Sequence, residues 1–421
     1  MVSAEIGQWP RAEAEEDLFV LRTIDFAFHR KRIKLELARS VFASGNLDAG
    51  TAMLLRHLQS IPLDHVKRIL DLGCGNGSLG VVLRALDPGR HLTAVDRDAL
   101  ACRYTRRNLA GNGLGSGSGL SDDRILGSLG YDDIGEDRFD LIVSNLPGKA
   151  GEEVIANLIG GAASVADDGA IVGLVVVDPL AHLVSKLVEE AGYEVLLAKG
   201  NNTHHVILAR VTEPSPSSLQ PVGAFATGTY DRKKAEFSDR SMRWTVRTVT
   251  GLPEFDSLSY PSRMLRNALQ GVEAGPSVVV NAGQGHRAVI AGRSGYPPAT
   301  LIARDLLSLQ AASRSLVDNG FASPNLVHDI TVSAGLGQGS TLVIMHGDDK
   351  VHAPYFYDQV VRTLDHLGHT AGSKHRDLVL TGRASLLGRL ESDLLRTRRG
   401  HVAYKMSQRG FRAVRYRLTA R

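Results

Sequence analysis

Cysteine is almost missing from this chain of 421 residues, which carries only Cys74 and Cys102. Two thiols build no disulfide framework and supply too few ligands for a structural zinc site, so no metal is expected. Cys74 lies inside a glycine-rich turn and reads as a small packing residue. Long apolar runs are missing too: the longest, around Ala170 to Val177, has strand length and falls far short of the roughly 18 residues that cross a bilayer. No signal-peptide pattern opens the sequence. These absences predict a soluble, cytoplasmic protein. With 43% hydrophobic and 22% charged residues it is globular, and its length calls for two or three domains.

The most informative stretch present is Ile69 to Gly77, I-L-D-L-G-C-G-N-G. Apolar positions run into Asp71 and then into Gly73, Gly75 and Gly77. A short buried strand followed by alternating glycines is a strand-to-helix turn whose backbone can approach a ligand closely. Ser78 to Leu86 then has helical spacing, and H-L-T-A-V-D ends a second strand at Asp96, with Arg97 next. An acid in that place accepts ribose hydroxyls. A nicotinamide dinucleotide would want G-x-G-x-x-G with helix amides on its pyrophosphate. Here the third glycine comes one residue early and Asp71 opens the turn. A carboxylate repels pyrophosphate but suits a cofactor with an amino group and a sulfonium. The stretch resembles motif I of class I S-adenosylmethionine (SAM) methyltransferases, D-x-G-x-G-x-G. That resemblance implies SAM contacts at Asp71, Gly73, Gly75, Gly77, Asp96 and Arg97.

Residues 1 to about 20 read as a frayed or partly helical arm. Phe26 to Leu37 reads as one or two strands with a basic turn at His29 to Arg32. Asn46 and Asp48 suit a turn and helix start, and Ala52 to Leu58 an amphipathic helix. From Ile69 to residue 211 strands and helices alternate, with a glycine- and serine-rich surface loop from Gly111 to Ser121. Such alternation predicts a parallel sheet with helices on both faces. The last two segments, 193–198 and 204–211, read as a strand pair closing one edge. E-P-S-P-S-S-L-Q-P-V, residues 213–222, reads as a linker between domains at 1–212 and 223–421.

The second half repeats the first in four blocks. Ser277 to Val289 lies against the motif strand and turn. A-R-D-L-L-S-L-Q-A-A-S-R-S-L-V-D-N-G, from Ala303, lies against V-D-R-D-A-L-A-C-R-Y-T-R-R-N-L-A-G-N-G. In this alignment Asp71 is matched by Asn281, Gly77 by His286 or Arg287, and Asp96 by Arg304 or Asp305. The expectation is α/β architecture with two tandem Rossmann-like methyltransferase domains of seven-stranded, mostly parallel sheets. The second is expected to be degenerate, its turn blocked by a bulky side chain.

Ligands of such sheets bind beyond the carboxyl edge of the strands. There the fourth strand reads F-D-L-I-V-S-N-L-P-G-K-A-G, from Phe139 to Gly151. Asn145 followed by Pro147 resembles the N-P-P-(F/Y) motif of methyltransferases acting on exocyclic or amide nitrogens. In that family the Asn carbonyl and the backbone carbonyl after it accept hydrogen bonds from the target amine. Catalysis is then orientation and electrostatics, with no strong base before attack. Leu146 stands where the motif has its first proline, and Gly148 where it has an aromatic that stacks on a flipped base.

Together with V-F-A-S-G-N-L-D-A-G-T-A-M-L-L, these motifs resemble the ribosomal RNA guanine-N2 methyltransferases of the RsmC/RlmG type, over roughly residues 33–210. That family also pairs one active copy with one degenerate copy, the active one second rather than first. The resemblance implies that Asn145 and Pro147 act on the target base and that Asn145 also borders the cofactor. Phe42, Gly50 and Thr51 would lie near cofactor or base, with Leu146 and Lys149 beside the substrate.

From Arg396 to Arg421 there are nine Lys and Arg and no Asp or Glu. Tyr404, Phe411 and Tyr416 are interleaved. Concentrated positive charge with aromatics suits phosphate contacts and base stacking, and makes Arg398 and Arg399 RNA-binding candidates. The function expected is SAM-dependent methylation of a nucleobase exocyclic amine in RNA, guanine N2 of ribosomal RNA foremost. The alternative is a small-molecule or amino-acid N-methyltransferase whose second domain is a lid or dimerisation surface.

Overall fold

The computed structural model describes residues 15–41, 47–87, 89–114, 122–213, 223–337, 340–347, 352–369, 376–396 and 399–418. The chain forms two compact units. One is Val20–Tyr230. The other is Asp231–Arg421 together with the N-terminal segment ending at Phe19.

The first unit opens with an antiparallel hairpin, β1 (Val20–Phe28) and β2 (Lys31–Ala38), which turns at His29 and Arg30 with positive φ at both. Helix α1 (Ala49–Leu58) follows. Then come β3 (Arg68–Leu72), α2 (Gly80–Leu86), β4 (His91–Asp96), α3 (Ala99–Gly111), β5 (Arg124–Gly127), β6 (Phe139–Asn145), α4 (Glu152–Gly160), β7 (Ala166–Val177), α5 (Ala181–Glu190), β8 (Glu194–Gly200) and β9 (His204–Arg210). The sheet order is β5-β4-β3-β6-β7-β9-β8. Its pairings are parallel from β5 to β7, while β9 runs antiparallel to both β7 and β8. The chain moves outward from β3 to β5 and then returns to β6 on the other side of β3. That reversal opens a crevice at the carboxyl ends of β3 and β6.

Side chains alternate across each strand, so one sheet serves two cores. Leu141 and Val143 of β6 join the cluster that includes residues of α1, α2 and α3, while Ile142 joins the cluster on the α4 and α5 side. The same period puts Asn145 on the α1 face. Leu146 lies in the opposite core, 3% exposed.

The second unit contains β10 (Asp231–Asp239), β11 (Met242–Val249), α6 (Tyr260–Ala268), β12 (Ser277–Val280), α7 (His286–Arg293), β13 (Pro298–Ala303), α8 (Leu306–Asp318), β14 (Asn325–His328), β15 (Leu342–Gly347), α9 (Ala353–His369), β16 (Arg376–Arg383), α10 (Ala384–Arg396), β17 (Gly400–Gln408) and β18 (Phe411–Leu418). Its sheet order, β14-β13-β12-β15-β16-β18-β17, repeats that of the first unit strand for strand. The repetition reaches single side chains. Asn112 at the end of α3 accepts from Lys34 N–H and donates to Lys34 C=O. Asn319 at the end of α8 does the same with Thr245.

The hydrogen bonds correct the sequence alignment of the two turns. Gly77 N–H donates to Cys74 C=O, and Gly285 N–H to Ala282 C=O. Gly77 has φ +78° and Gly285 φ +99°. Gly77 is therefore matched by Gly285, not by His286 or Arg287. Likewise Gly73 N–H donates to Val95 C=O and Asn281 N–H to Ile302 C=O, so Asn281 stands for Gly73 and Val279 for Asp71. The N-caps Asp98 and Asp305 correspond, which puts Ala303 opposite Asp96. The sequence alignment slipped because hydrophobic strand residues are interchangeable, whereas a positive-φ turn is not.

Glu15–Phe19 is a 3₁₀ turn, and Phe19 is fully buried, its ring 4.6 Å from that of Tyr355.

Candidate functional site

The turn after β3 is built around its glycines. Gly73, Gly75 and Gly77 have φ of +75°, +56° and +78°, in the region L side chains avoid. Gly73 N–H and Cys74 N–H both donate to Val95 C=O, which ties the turn to β4. From α3, Thr105 Oγ1 donates to Gly75 C=O and Asn108 Nδ2 to Asn76 C=O, and Asn76 Oδ1 accepts from Ala38 N–H. Beside Gly73 no described atom comes within 4 Å of where a Cβ would sit, so the turn faces open space there.

Asp96 ends β4 beside this space. Its Oδ2 accepts from Gly75 N–H at 3.0 Å and its Oδ1 from Asp98 N–H at 2.9 Å. Burial and the neighbouring Asp98 push its carboxyl up to about 6, against these amides and the Arg97 charge. Half-buried Arg97 follows it at the strand end.

Asp71 occupies a different place. It is 1% exposed, and its Oδ2 accepts from Gly80 N–H at 2.8 Å, the first residue of α2. A Cβ at Gly80 would lie 2.8 Å from that oxygen, so this glycine is what lets the carboxylate in. Asp71 thus braces the helix start from below. Burial pushes its carboxyl up to about 7, opposed by the Gly80 amide and reinforced by Asp96.

Across the crevice, Asn145 Nδ2 donates to Asp48 Oδ2 at 2.9 Å and to Thr51 Oγ1 at 3.1 Å. Asp48 is the N-cap of α1, and the same Oδ2 accepts from Thr51 N–H at 3.0 Å. Pro147, Gly148 and Lys149 follow in an exposed turn. A Cβ on Gly148 would lie 3.2 Å from Cγ2 of exposed Val177 at the end of β7. Aliphatic surface therefore borders the place of the missing aromatic. Because the Leu146 side chain is in the core, only its backbone is available at the site.

Of the residues read from the sequence, the structure gathers Gly73, Gly75, Gly77, Asp96 and Arg97 at one turn and Asn145 with Thr51 at the other. Phe42 and Arg398 lie outside the described residues. Arg399 belongs to the second unit, where it pairs with Asp365. Sequence reasoning missed the contact of Asp48 with Asn145 and the role of Gly80. Asp48 was legible as a helix start, but a contact 97 residues distant leaves no local signal.

The basic end is arranged differently from its linear pattern. Lys405 and Arg412 both pair with Glu391, Arg417 with Asp377, and Arg396 with Asp393. Acids from α10 and β16 neutralise much of a charge run that contains none of its own.

Residues 32–208 match the sequence profile of the methyltransferase small domain family. Over this segment the chain is similar to the methyltransferase small domain, a family whose cofactor is SAM. Among curated relatives, the ribosomal RNA small subunit methyltransferase C of Pseudomonas entomophila (strain L48) is 43% identical over 107 residues, covering 25% of this chain and 29% of that protein. Its namesake from Pseudomonas putida (strain F1) is 37% identical over 142 residues, covering 34% and 39%. The chain thus spans about a third of the length of these relatives. Among solved structures, the Thermus thermophilus 16S rRNA N2 G1207 methyltransferase (RsmC), in complex with AdoMet and guanosine, matches 94% of this chain and 97% of its own. Its TM-score is 0.62 at 15% identity, so the tandem fold is shared.

The residues present fit SAM. A Cβ at Gly73 would meet no described atom, so a ligand can approach the backbone there, and an Asp96 carboxylate has lone pairs to accept from ribose hydroxyls.

Proposed function

We propose that this protein is a SAM-dependent methyltransferase acting on an exocyclic amine of a nucleobase in RNA, foremost guanine N2 of ribosomal RNA. The observation that carries the reading is the orientation of Asn145. Both hydrogens of its amide are taken up by Asp48 and Thr51, which leaves Oδ1 as the end available to accept from a substrate. An amide oxygen there accepts from an incoming amine and aims the nitrogen lone pair away from the acceptor. Gly73, Gly75, Gly77 and Asp96 would hold SAM, which supplies an electrophilic methyl group when bound. The backbone carbonyl of Leu146 is the second acceptor in this reading, and Pro147 fixes the course of the chain past it. RNA as substrate is supported by the names of the matched relatives and by the tandem fold shared with the Thermus enzyme.

The second unit would then serve in holding RNA, a role for which the exposed Arg409 at the β17–β18 turn and Lys234 of β10 are available, whereas Arg232 and Lys233 pair with Asp256. The ion pairs of the basic end weaken the case first made for it and make the small-molecule reading the competitor to test.

The test is methyl transfer from labelled SAM to total RNA, with small metabolites in parallel, followed by nucleoside mass spectrometry. The expected product is N2-methylguanosine, formed by wild type and lost in Asn145→Ala with SAM affinity within a few-fold. Label confined to the small-molecule fraction would overturn the RNA reading, and full activity of Asn145→Ala would overturn the role of Asn145.

A further inference from the structure

We infer that Asp48 is a positioning residue for Asn145: its carboxylate fixes which end of the amide faces the crevice and strengthens the oxygen as an acceptor. The inference rests on Asn145 being the amine acceptor.

An Asn side chain has two ends of nearly equal shape, and only one of them can accept from an amine. Nothing in the strand ending at Asn145 chooses between them. Asp48 does. An ionised carboxylate has no proton to give, so with Oδ2 only 2.9 Å away the end facing it must be NH₂. Thr51 Oγ1 at 3.1 Å takes up the other hydrogen. Amide rotation would place carbonyl oxygen against carboxylate oxygen, a half-buried repulsion without a hydrogen bond.

The anchor is itself held. Asp48 Oδ2 also accepts from Thr51 N–H at the start of α1, and the α1 face packs on the sheet through Met53, Leu54, Leu55 and Leu58. Behind it, the imidazole of His204 lies against Gly50, where a Cβ would meet Cδ2 at 2.8 Å and Asp48 Oδ2 at 3.0 Å. Glycine at 50 therefore lets the helix start close in on β9, keeping Asp48 within reach of β6.

The charge has a second effect. A carboxylate bonded to the amide NH₂ polarises the amide and places more negative charge on Oδ1. When an amine takes a methyl group, the nitrogen–carbon bond forms as the carbon–sulfur pair leaves with sulfur, and the nitrogen carries positive charge until it loses a proton to solvent. An oxygen made more negative at the moment this charge develops favours the transition state over the ground state.

The experiment uses the full-length chain with three variants. Asp48→Ser keeps a good N-cap for α1 but is too short to reach Asn145. Asp48→Asn keeps both cap and acceptor oxygen without the charge. Asn145→Ala identifies the resonance of interest. With selective ¹⁵N-asparagine labelling, the Asn145 side-chain amide should be dispersed and slow to exchange in wild type and Asp48→Asn. In Asp48→Ser it should move toward the free-amide position and exchange at least tenfold faster. In methyl transfer from labelled SAM to total RNA, the turnover of Asp48→Ser should fall at least tenfold, with SAM affinity within threefold. Asp48→Asn should recover part of that loss. The Asp48→Ser/Asn145→Ala double variant should be no slower than Asn145→Ala alone, because the first change acts only through the second. An Asn145 amide unmoved in Asp48→Ser would overturn the proposal whatever the substrate. So would wild-type turnover of Asp48→Ser beside an inactive Asn145→Ala. Full turnover of Asn145→Ala would overturn the acceptor reading and the catalytic half of this proposal together, while the amide spectrum still decides the contact.

Discussion

The guanidinium of Arg287 lies on the carboxylate of Glu254, Nη1 to Oε2 2.7 Å, with both side chains almost completely buried. Arg287 Nη1 also donates to Ser262 Oγ at 3.0 Å, and Nη2 to the Asn281 carbonyl at 3.0 Å. A Cβ at Gly283, the counterpart of Gly75, would lie 3.1 Å from Nη2. An internal cation thus occupies the second unit's turn, where the first unit leaves space. Burial pushes the Glu254 carboxyl up, but the charges of Arg287 and His286 and the hydroxyls of Ser259 and Ser262 hold it well below the usual carboxylate range.

Breaking this pair by one partner leaves a buried charge alone, and Arg287→Met is expected to lower stability by about 3 kcal/mol or more. Glu254→Gln with Arg287→Met should recover much of that loss. Denaturant melts of the full chain check both, and a single variant within 0.5 kcal/mol of wild type would show the pair to be ornamental.

A methyl group at Gly77 would have to adopt φ +78° with its carbon 2.8 Å from Val81 Cγ2 and 3.2 Å from Thr105. Gly77→Ala is expected to weaken SAM binding at least tenfold and to cost roughly 1–2 kcal/mol of stability. Calorimetric titration of wild type should show one SAM per chain. Gly285→Ala, with its Cβ 2.6 Å from that of Ser315, should destabilise without changing this affinity. A second SAM per chain would contradict the internal cation's role.

In the proposed SAM site the Asp96 carboxyl, raised to about 6, would accept from ribose most strongly when ionised. SAM affinity should therefore be flat above pH 7 and fall as pH drops through about 6, approaching tenfold per unit. Asp96→Asn should bind more weakly and lose this pH dependence. Titrations between pH 5 and 8 decide it.

For Asp71 the sign concerns stability. Its folded carboxyl titrates near 7, above the unfolded value near 4, so the folded state prefers the neutral acid. The contribution is complete below pH 4 and is lost as pH rises toward and through 7. Asp71→Asn, which can still accept from Gly80 N–H, should match wild type near pH 4. At pH 8 it should be more stable, by about 4 kcal/mol at most. Melts at the two pH values check the difference.

Deleting the basic end is not a clean test of RNA binding, because Gly400–Gln408 and Phe411–Leu418 are two strands of the second sheet. Single substitutions such as Arg409→Ala leave those strands in place. If Arg409 contacts phosphate, the salt slope of RNA binding should fall by about one.

Much of this was written locally. Alternating glycines, a strand-terminal Asp96, Asn145 before Pro147 and the spacing of apolar residues depend on neighbours within one turn or strand, so periodicity and backbone preference expose them. The sequence by itself determined the alternating α/β architecture, the repetition of its second half, and the residue types that line the two turns. Tertiary structure alone decided which charges cancel, as with Arg417 on Asp377 and Lys405 on Glu391. It alone placed Asp71 beneath α2, set Arg287 in the second turn and brought Asp48 to Asn145. Hydrogen bonds and ion pairs act over about 3 Å in space, however many residues separate their partners along the chain.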